Sequence, residues 1–260
     1  MKVSLYIKDN QVCKSYEKKV LYLLKEEGFS FDEDNPDVVI TIGGDGTFLR
    51  AVHKYMNQID DTLFVGINAG HLGFFTEVDI DDIDSFIKAL KNKEYRVTKH
   101  AILHTFIKSD MGNYNFYAIN EIRIENPFHT LISEVKIDDE TLENFRGNGL
   151  VVCSSLGSSA YNKSLGGAVV DNNLDIMQLT EIAPIQNMIY HSLGSSLILN
   201  KDKKIEFSGD FNEVVVGYDH ETFNLKNASS LTIELSEKKL SIIRYKNLNN
   251  ITKLKESFIK

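Results

Sequence analysis

Tryptophan is absent from this chain, and cysteine and proline are scarce: two Cys and three Pro in 260 residues. Cys13 and Cys153 cannot form a disulfide scaffold, and they show no metal-type spacing. With no secretory signal ahead of them, a reducing, cytosolic setting is expected. The few prolines accompany no low-complexity segment and no internal repeat. No apolar run approaches the roughly 20 residues that a membrane helix needs, so a soluble chain with no membrane partner is expected. An excess of positive charge is also missing. The net charge of −8 argues against general nucleic-acid binding, which wants a basic face. It leaves small phosphorylated ligands open, because local amides and Mg²⁺ outweigh a distant net charge. What is present is ordinary for a globular protein, 42% hydrophobic and 25% charged, and long enough for one large core or two modest ones.

The first part alternates strand and helix. KVSLYIK (2–8) alternates apolar and polar residues, as does a strand at or near a sheet edge. Val12, Tyr16, Val20, Leu23 and Leu24 recur at helical spacing, with Gly28 following as a C-cap signal. DVVITI (37–42) and LFVGIN (63–68) are continuously apolar, as buried parallel strands are. A helix is predicted over 47–56 and an amphipathic one over 80–90. This βαβαβα order predicts a Rossmann-like, doubly wound parallel sheet. Near Tyr95 the texture changes to short strand-like runs: 100–110, 113–125, 131–139, 149–155, 196–200, 203–209, 213–219, 230–236 and 240–245. The expected organisation is an α/β nucleotide-binding domain over 1–97 and a β-rich, substrate-binding domain over 98–245. A tail over 246–260 places Ile251, Leu254, Phe258 and Ile259 on one helical face, packing back on the body.

The buried run 37–42 ends in Gly43-Gly44-Asp45-Gly46-Thr47. Ligands of open α/β sheets bind at the carboxyl ends of strands, which is where this turn falls. Glycines let backbone N–H groups approach phosphate oxygens, and Thr47 is placed to cap the next helix. The stretch is not a Walker A loop, since no Lys-Ser/Thr follows the glycines. A bare carboxylate beside phosphates repels them. Asp45 makes chemical sense if it takes a proton from an attacking hydroxyl, or if Mg²⁺ lies between. A Gly-rich turn with Asp45 present for turn propensity is the plainer alternative.

GGDGT with its helix, then NAGHLGF (68–74), NE (120–121), FRGNGL (145–150) and GSSAYNKSLGGA (157–168), in this order along nearly the whole chain, resembles the NAD kinase family. QLTEIAPI (178–185) and the closing ESFI resemble its compact bacterial branch. GGDGT alone also occurs in diacylglycerol kinases, sphingosine kinases and 6-phosphofructokinases. The resemblance implies an α/β domain, a β-rich domain and a site between them, where ATP phosphorylates the adenosine 2′-hydroxyl of NAD to give NADP. It also implies Mg²⁺ or another divalent cation brought with ATP, no metal held by side chains, and a homodimer or homotetramer. In that picture Asp45 is the general base and Gly46 lies against the substrate.

The same resemblance assigns Asn120 and Glu121 to the adenosine side of NAD. Neighbours in a strand point to opposite faces, so both reach one ligand only at a bulge or strand end. A carboxylate beside a carboxamide suits a ribose diol. Ser158, Ser159, Ala160, Tyr161 and Ser164 fall within a hydroxyl-rich turn that the family uses for substrate contacts, with Tyr161 walling a slot for adenine. Asp219-His220 resembles a late acid-His pair, in which the carboxylate orients the imidazole toward the phosphate donor. Arg146 is expected to reach a nucleotide across a subunit interface. Two departures stand out: Asn148 replaces an aspartate facing the nicotinamide half, and Ser155-Leu156 replace a proline and a hydroxyl residue. Two other readings remain open on the sequence. A diacylglycerol-type lipid kinase is disfavoured by the motifs that follow GGDGT. A weakly catalytic, dinucleotide-binding regulator is kept alive by Asn148 and Leu156.

Overall fold

A computed structural model describes residues 1–70, 73–245 and 250–259; His71 and Leu72 of the NAGHLGF run lie outside the described residues. The chain divides into two compact units, Met1–Lys99 with Lys239–Lys260, and His100–Lys238. Among the described residues, no helix is long and apolar enough to cross a membrane.

The first unit is built on parallel strands. Val38–Ile42, buried along its whole length, pairs with Lys2–Ile7 on one side and Leu63–Asn68 on the other. Being central explains why it has no polar alternation. Short strands Ser30–Phe31 and Thr76–Asp79 extend the sheet by pairing with Lys2–Ile7 and Leu63–Asn68. Leu63–Asn68 has a third neighbour, because Ile242 pairs in parallel with Phe64. Residues 239–245, which sequence reading places with the β-rich domain, therefore count with this unit, and Ile243 sits in its core beside Ile67, Phe86 and Leu90.

The helix Gln11–Glu26 starts on Asn10, whose side chain accepts from Cys13 N at 2.7 Å, and ends before Gly28 at φ 75°. Its inner face carries Cys13, Val20 and Leu24, whereas Val12, expected inside, points outward. The next helix runs Asp45–Lys54 rather than 47–56, so Asp45 is its first residue. Gly44 holds the N-cap position, and Thr47, expected as the cap, is buried one turn in. A further helix spans Ile83–Asn92. The C-terminal helix Asn250–Phe258 departs from expectation in a telling way. Ile251 and Ile259 are exposed, and the buried residue of the helix is Lys253.

The second unit is antiparallel. One six-stranded sheet runs in the order Leu197–Asn200, Ile176–Ile182, Gly149–Ser154, Glu121–Glu125, Val215–Tyr218, Glu221–Asn224. A second set orders Glu140–Gly147, Leu131–Ile137, Lys204–Ser208 and the early part of Ala228–Arg244. Arg96–Ser109 pairs with Tyr114–Ala118. Both sets contribute to one core, with Ile122, Leu150 and Val152 packed among Val135, Phe145 and Phe207. Two expected runs resolve differently. Residues 113–125 break into two strands at Ile119-Asn120, and the runs 230–236 and 240–245 form one continuous strand, Ala228–Arg244.

Candidate active site

Asp45 opens its helix at the carboxyl end of Val38–Ile42, half-buried. Its carboxylate is gripped by the loop that follows Leu63–Asn68. Phe74 N donates to Oδ2 at 3.0 Å and Phe75 N to Oδ1 at 2.9 Å. Gly73 makes this possible, since a Cβ there would lie 2.3 Å from Oδ1. Phe75 in turn stacks on Phe48, with ring centroids 4.9 Å apart and planes at 5°. Each carboxylate oxygen keeps a second lone pair, so the group is oriented and still able to accept a proton. Gly43, at φ 153°, leaves no room for a side chain beside Thr47 Oγ1, whereas nothing lies within 4 Å of a Cβ on Gly44. The backbone at Gly44 thus faces open space at a helix N-terminus, and exposed Gly46 lies beside the Arg50 guanidinium, an environment that favours anionic oxygens.

In the second unit, Asn120 sits immediately before the strand Glu121–Glu125, which Glu121 begins. The pair thus occupies the strand end that the two side chains need to reach one ligand. Asp219, held at φ 51°, shapes this corner: its carboxylate accepts from Ile119 N at 2.8 Å and Asn120 N at 2.7 Å. Asp219 N donates to Glu121 O at 3.1 Å. The carboxylate that was expected to orient His220 therefore holds two backbone N–H groups, and the imidazole Nε2 lies 3.1 Å from Glu221 Oε1.

Asn120 Oδ1 and Glu121 Oε2 are buried without a hydrogen-bond partner among the described residues. Burial, reinforced by the Asp219 carboxylate, pushes the Glu121 carboxyl up to about 7 against the opposing pull of Arg123. Arg123, which sequence reading missed, bonds Glu125 Oε2 at 2.8 Å through Nε and lies 3.9 Å from Glu121 Oε1. The signal was available: period-two alternation in EIRIE puts Glu121, Arg123 and Glu125 on one strand face. The Tyr161 hydroxyl belongs to the same neighbourhood, raised by partial burial and then by Glu125.

The hydroxyl-rich turn is a short 3₁₀ segment, Leu156–Ser159, followed by Tyr161–Ser164. Gly157 lies against the Asn120 backbone so closely that a Cβ would stand 2.1 Å from Asn120 O. Ser158, expected to touch substrate, is fully buried; its hydroxyl donates to Ser155 O at 2.8 Å and accepts from Val170 N at 3.2 Å. It builds the turn. Ser159, Ala160 and Tyr161 remain partly exposed and Ser164 is exposed. Leu156 and Ser155, the family departures, are buried, and Ser155 Oγ donates to Asn172 O at 3.3 Å.

Asn148 is exposed at the bend joining Glu140–Gly147 to Gly149–Ser154, where its carbonyl accepts from Asn126 N at 3.0 Å. Gly149 pairs with Glu125 and Cys153 with Glu121, so Asn148 lies one short strand, roughly 17 Å, from the Asn120-Glu121 corner. Arg146 stands over the Tyr190 ring at 4.6 Å and lines a groove of about 710 Å³ with Glu143 and Ile189. Among the described residues, no group of three or more His, Cys, Asp or Glu is arranged to hold a metal ion.

Comparison with known proteins returns one family over both halves. The model for the ATP-NAD kinase N-terminal domain matches residues 1–95, and that for the ATP-NAD kinase C-terminal domain matches residues 119–245. A protein named NAD kinase from Leuconostoc mesenteroides is 33% identical over 260 residues, covering 100% of this chain and 98% of that protein. One from Lactobacillus helveticus is 36% identical, covering 92% of this chain and 88% of that protein. Among solved structures, yeast NADH kinase complexed with NADH superposes with a TM-score of 0.88 at 17% identity, over 99% of this chain and 87% of that one. An NAD kinase from Archaeoglobus fulgidus in complex with ATP gives 0.79 at 22% identity, over 98% and 99%. At those identities the two structures speak to the fold.

Proposed function

The chain belongs to the NAD kinase family, and from that premise we propose that it transfers a phosphoryl group from ATP to the adenosine 2′-hydroxyl of NAD, giving NADP. The observation that carries this reading is the family match across both halves of the chain. Asp45 acts as general base on the 2′-hydroxyl, with its orientation set by Phe74 N and Phe75 N. The open backbone at Gly44 and Gly46 receives phosphate oxygens. Asn120 and Glu121 take the ribose, whose hydroxyl donors answer two buried acceptors that otherwise stay unpaired. Ser159, Ala160 and Tyr161 face adenine. Ser158 and Asp219 support the corner from behind, and His220 stands beside it. Asn148 and Arg146 serve the far end of the dinucleotide.

Mg²⁺ or another divalent cation enters with ATP. The ion supplies charge neutralisation on the phosphates. The finer setting is a cytosolic homodimer or homotetramer, supported by the exposed apolar side chains Phe128, Met188 and Ile189.

The test is direct. Pure protein with Mg-ATP and NAD is expected to yield NADP, and Asp45→Asn to lose ~10²–10⁴-fold in turnover while still binding NAD. Absence of product with both NAD and NADH would return the chain to a dinucleotide-binding regulator.

A further inference from the structure

Lys253 is an unusual residue to find as the one buried position of a surface helix, because a lysine is almost never fully buried unless paired. Its ammonium donates to Phe74 O and to Thr76 O, each at 2.8 Å, and also meets Glu77 Oε1. Those three bonds use all three donors of the group. Glu77, whose side chain is wholly buried, is shared with Arg244, and Arg244 Nε reaches Thr98 Oγ1 at 2.9 Å. The two carbonyls that Lys253 holds lie on either side of Phe75 N, one of the two N–H groups that hold Asp45. Phe74 is the junction: its carbonyl accepts from Lys253 and its N–H donates to Asp45 Oδ2. Its ring meets that of Phe258, 5.7 Å away on the same helix as Lys253.

We propose that Lys253 is a positioning residue for the Asp45 carboxylate, acting through the segment 74–77 without touching substrate. The inference rests on Asp45 being the general base. Asp45 sits on a turn whose glycines give it little lateral support, and Gly73 has no side chain to brace it. Its position is set by Phe74 N and Phe75 N, and the peptide that carries Phe75 N is held in turn through Phe74 O by the buried ammonium. Burial pulls the Lys253 ammonium below the usual lysine range, and the nearby Glu77 and Asp45 carboxylates oppose that pull. A charge kept buried at such a place needs a reason beyond stability, since a buried ion pair is weak evidence for stability.

The experiment compares Lys253→Met, Lys253→Met with Glu77→Gln, Asp45→Asn, and Asp45→Asn with Lys253→Met in the full chain. The second variant removes the carboxylate that the first leaves without one of its partners. The expected result is a folded variant whose kcat falls roughly 10- to 100-fold, the scale of a small misplacement of a reacting group, with KM for NAD and ATP nearly unchanged. On the Asp45→Asn background the same substitution is expected to add almost no further loss, because its effect passes through the missing carboxylate. Lys253→Arg is expected to recover part of kcat. A folded Lys253→Met enzyme with kcat within about twofold of the parent overturns the proposal, as does a loss that multiplies in full with Asp45→Asn. So does failure of both Lys253 variants to fold, which would make the lysine a stability residue only. Should Asp45→Asn alone keep more than about a tenth of the activity, the base assignment fails and this inference with it; a harmless Lys253→Met beside a crippled Asp45→Asn sinks the inference alone.

Discussion

Glu121 is a carboxylate in a place that disfavours its charge, and this has two opposite consequences. Its folded-state value near 7 exceeds the 4.5 of the free group. Below 4.5 both folded and unfolded chains hold the proton, so there is no penalty. As pH rises from 4.5 to 7 the unfolded chain gives up the proton that the folded chain keeps, and stability falls by on the order of 3 kcal/mol, a loss complete above pH 7. Glu121→Gln removes that penalty, so its melting temperature should exceed that of the parent at pH 8, with the gap narrowing toward pH 5. If Glu121 takes the ribose as proposed, the same substitution removes a charged acceptor from that contact, so calorimetry should show NAD affinity lower by roughly 1.5–3 kcal/mol. A variant with unchanged affinity would remove Glu121 from the site. Asn148 makes a second residue-scale case. An aspartate there would place a negative charge beside a pyridinium that is positive in NAD and neutral in NADH. Unit charges about 4 Å apart interact by ~1 kcal/mol in water, and the exposed position belongs near that limit. Asn148→Asp should therefore tighten NAD several-fold and leave NADH unmoved; equal shifts for both would show that residue 148 does not sense the ring charge.

Among the elements, the 3₁₀ turn Leu156–Ser159 is the one whose backbone is pressed against the ribose corner. Gly157→Ala would force a Cβ to within 2.1 Å of Asn120 O, so either the turn or the corner must move. A loss of roughly 1–3 kcal/mol in stability is expected, together with weaker NAD binding. Full retention of both would mean that the turn yields without disturbing Asn120. Elements of this kind divide the legible from the illegible. The strand 38–42 and the Gly-rich turn after it stand out in the sequence because a central parallel strand has nothing but apolar neighbours and its end needs glycine. Pleat geometry states that Asn120 and Glu121 reach one ligand only at a bulge or strand end, and the pair itself is singled out by the family resemblance. A hydroxyl such as that of Ser158 reads the same in sequence whether it faces a ligand or closes a turn, and in the structure it is buried closing the turn. The bonds of the Asp219 carboxylate to backbone N–H groups about a hundred residues away are of a kind that no sequence displays. Lys253 was invisible because an apolar pattern assigns a lysine to the solvent face, and its partners are carbonyls that no sequence displays.

Across the whole molecule, the first unit is discontinuous. Its sheet receives Ile242 and Ile243 from the far end of the chain, after all of His100–Lys238 has intervened. A chain ending at Lys238 should thus lose hydrogen-exchange protection across 1–99 while keeping it in the β-rich unit. Equal protection in both would show that the terminal strand residues are dispensable. Ile243→Ala, at a fully buried site, should weaken the intact protein by about 2–5 kcal/mol. This arrangement also has a meaning in time. A chain leaving the ribosome presents Asp45 early and completes every residue assigned to the dinucleotide before Lys253 emerges. A nascent or prematurely terminated product would hold the ribose corner and lack the finished seat for its base. On the roles proposed for Asp45 and Lys253, the helix Asn250–Phe258 is what brings such a product from a slow catalyst to a fast one.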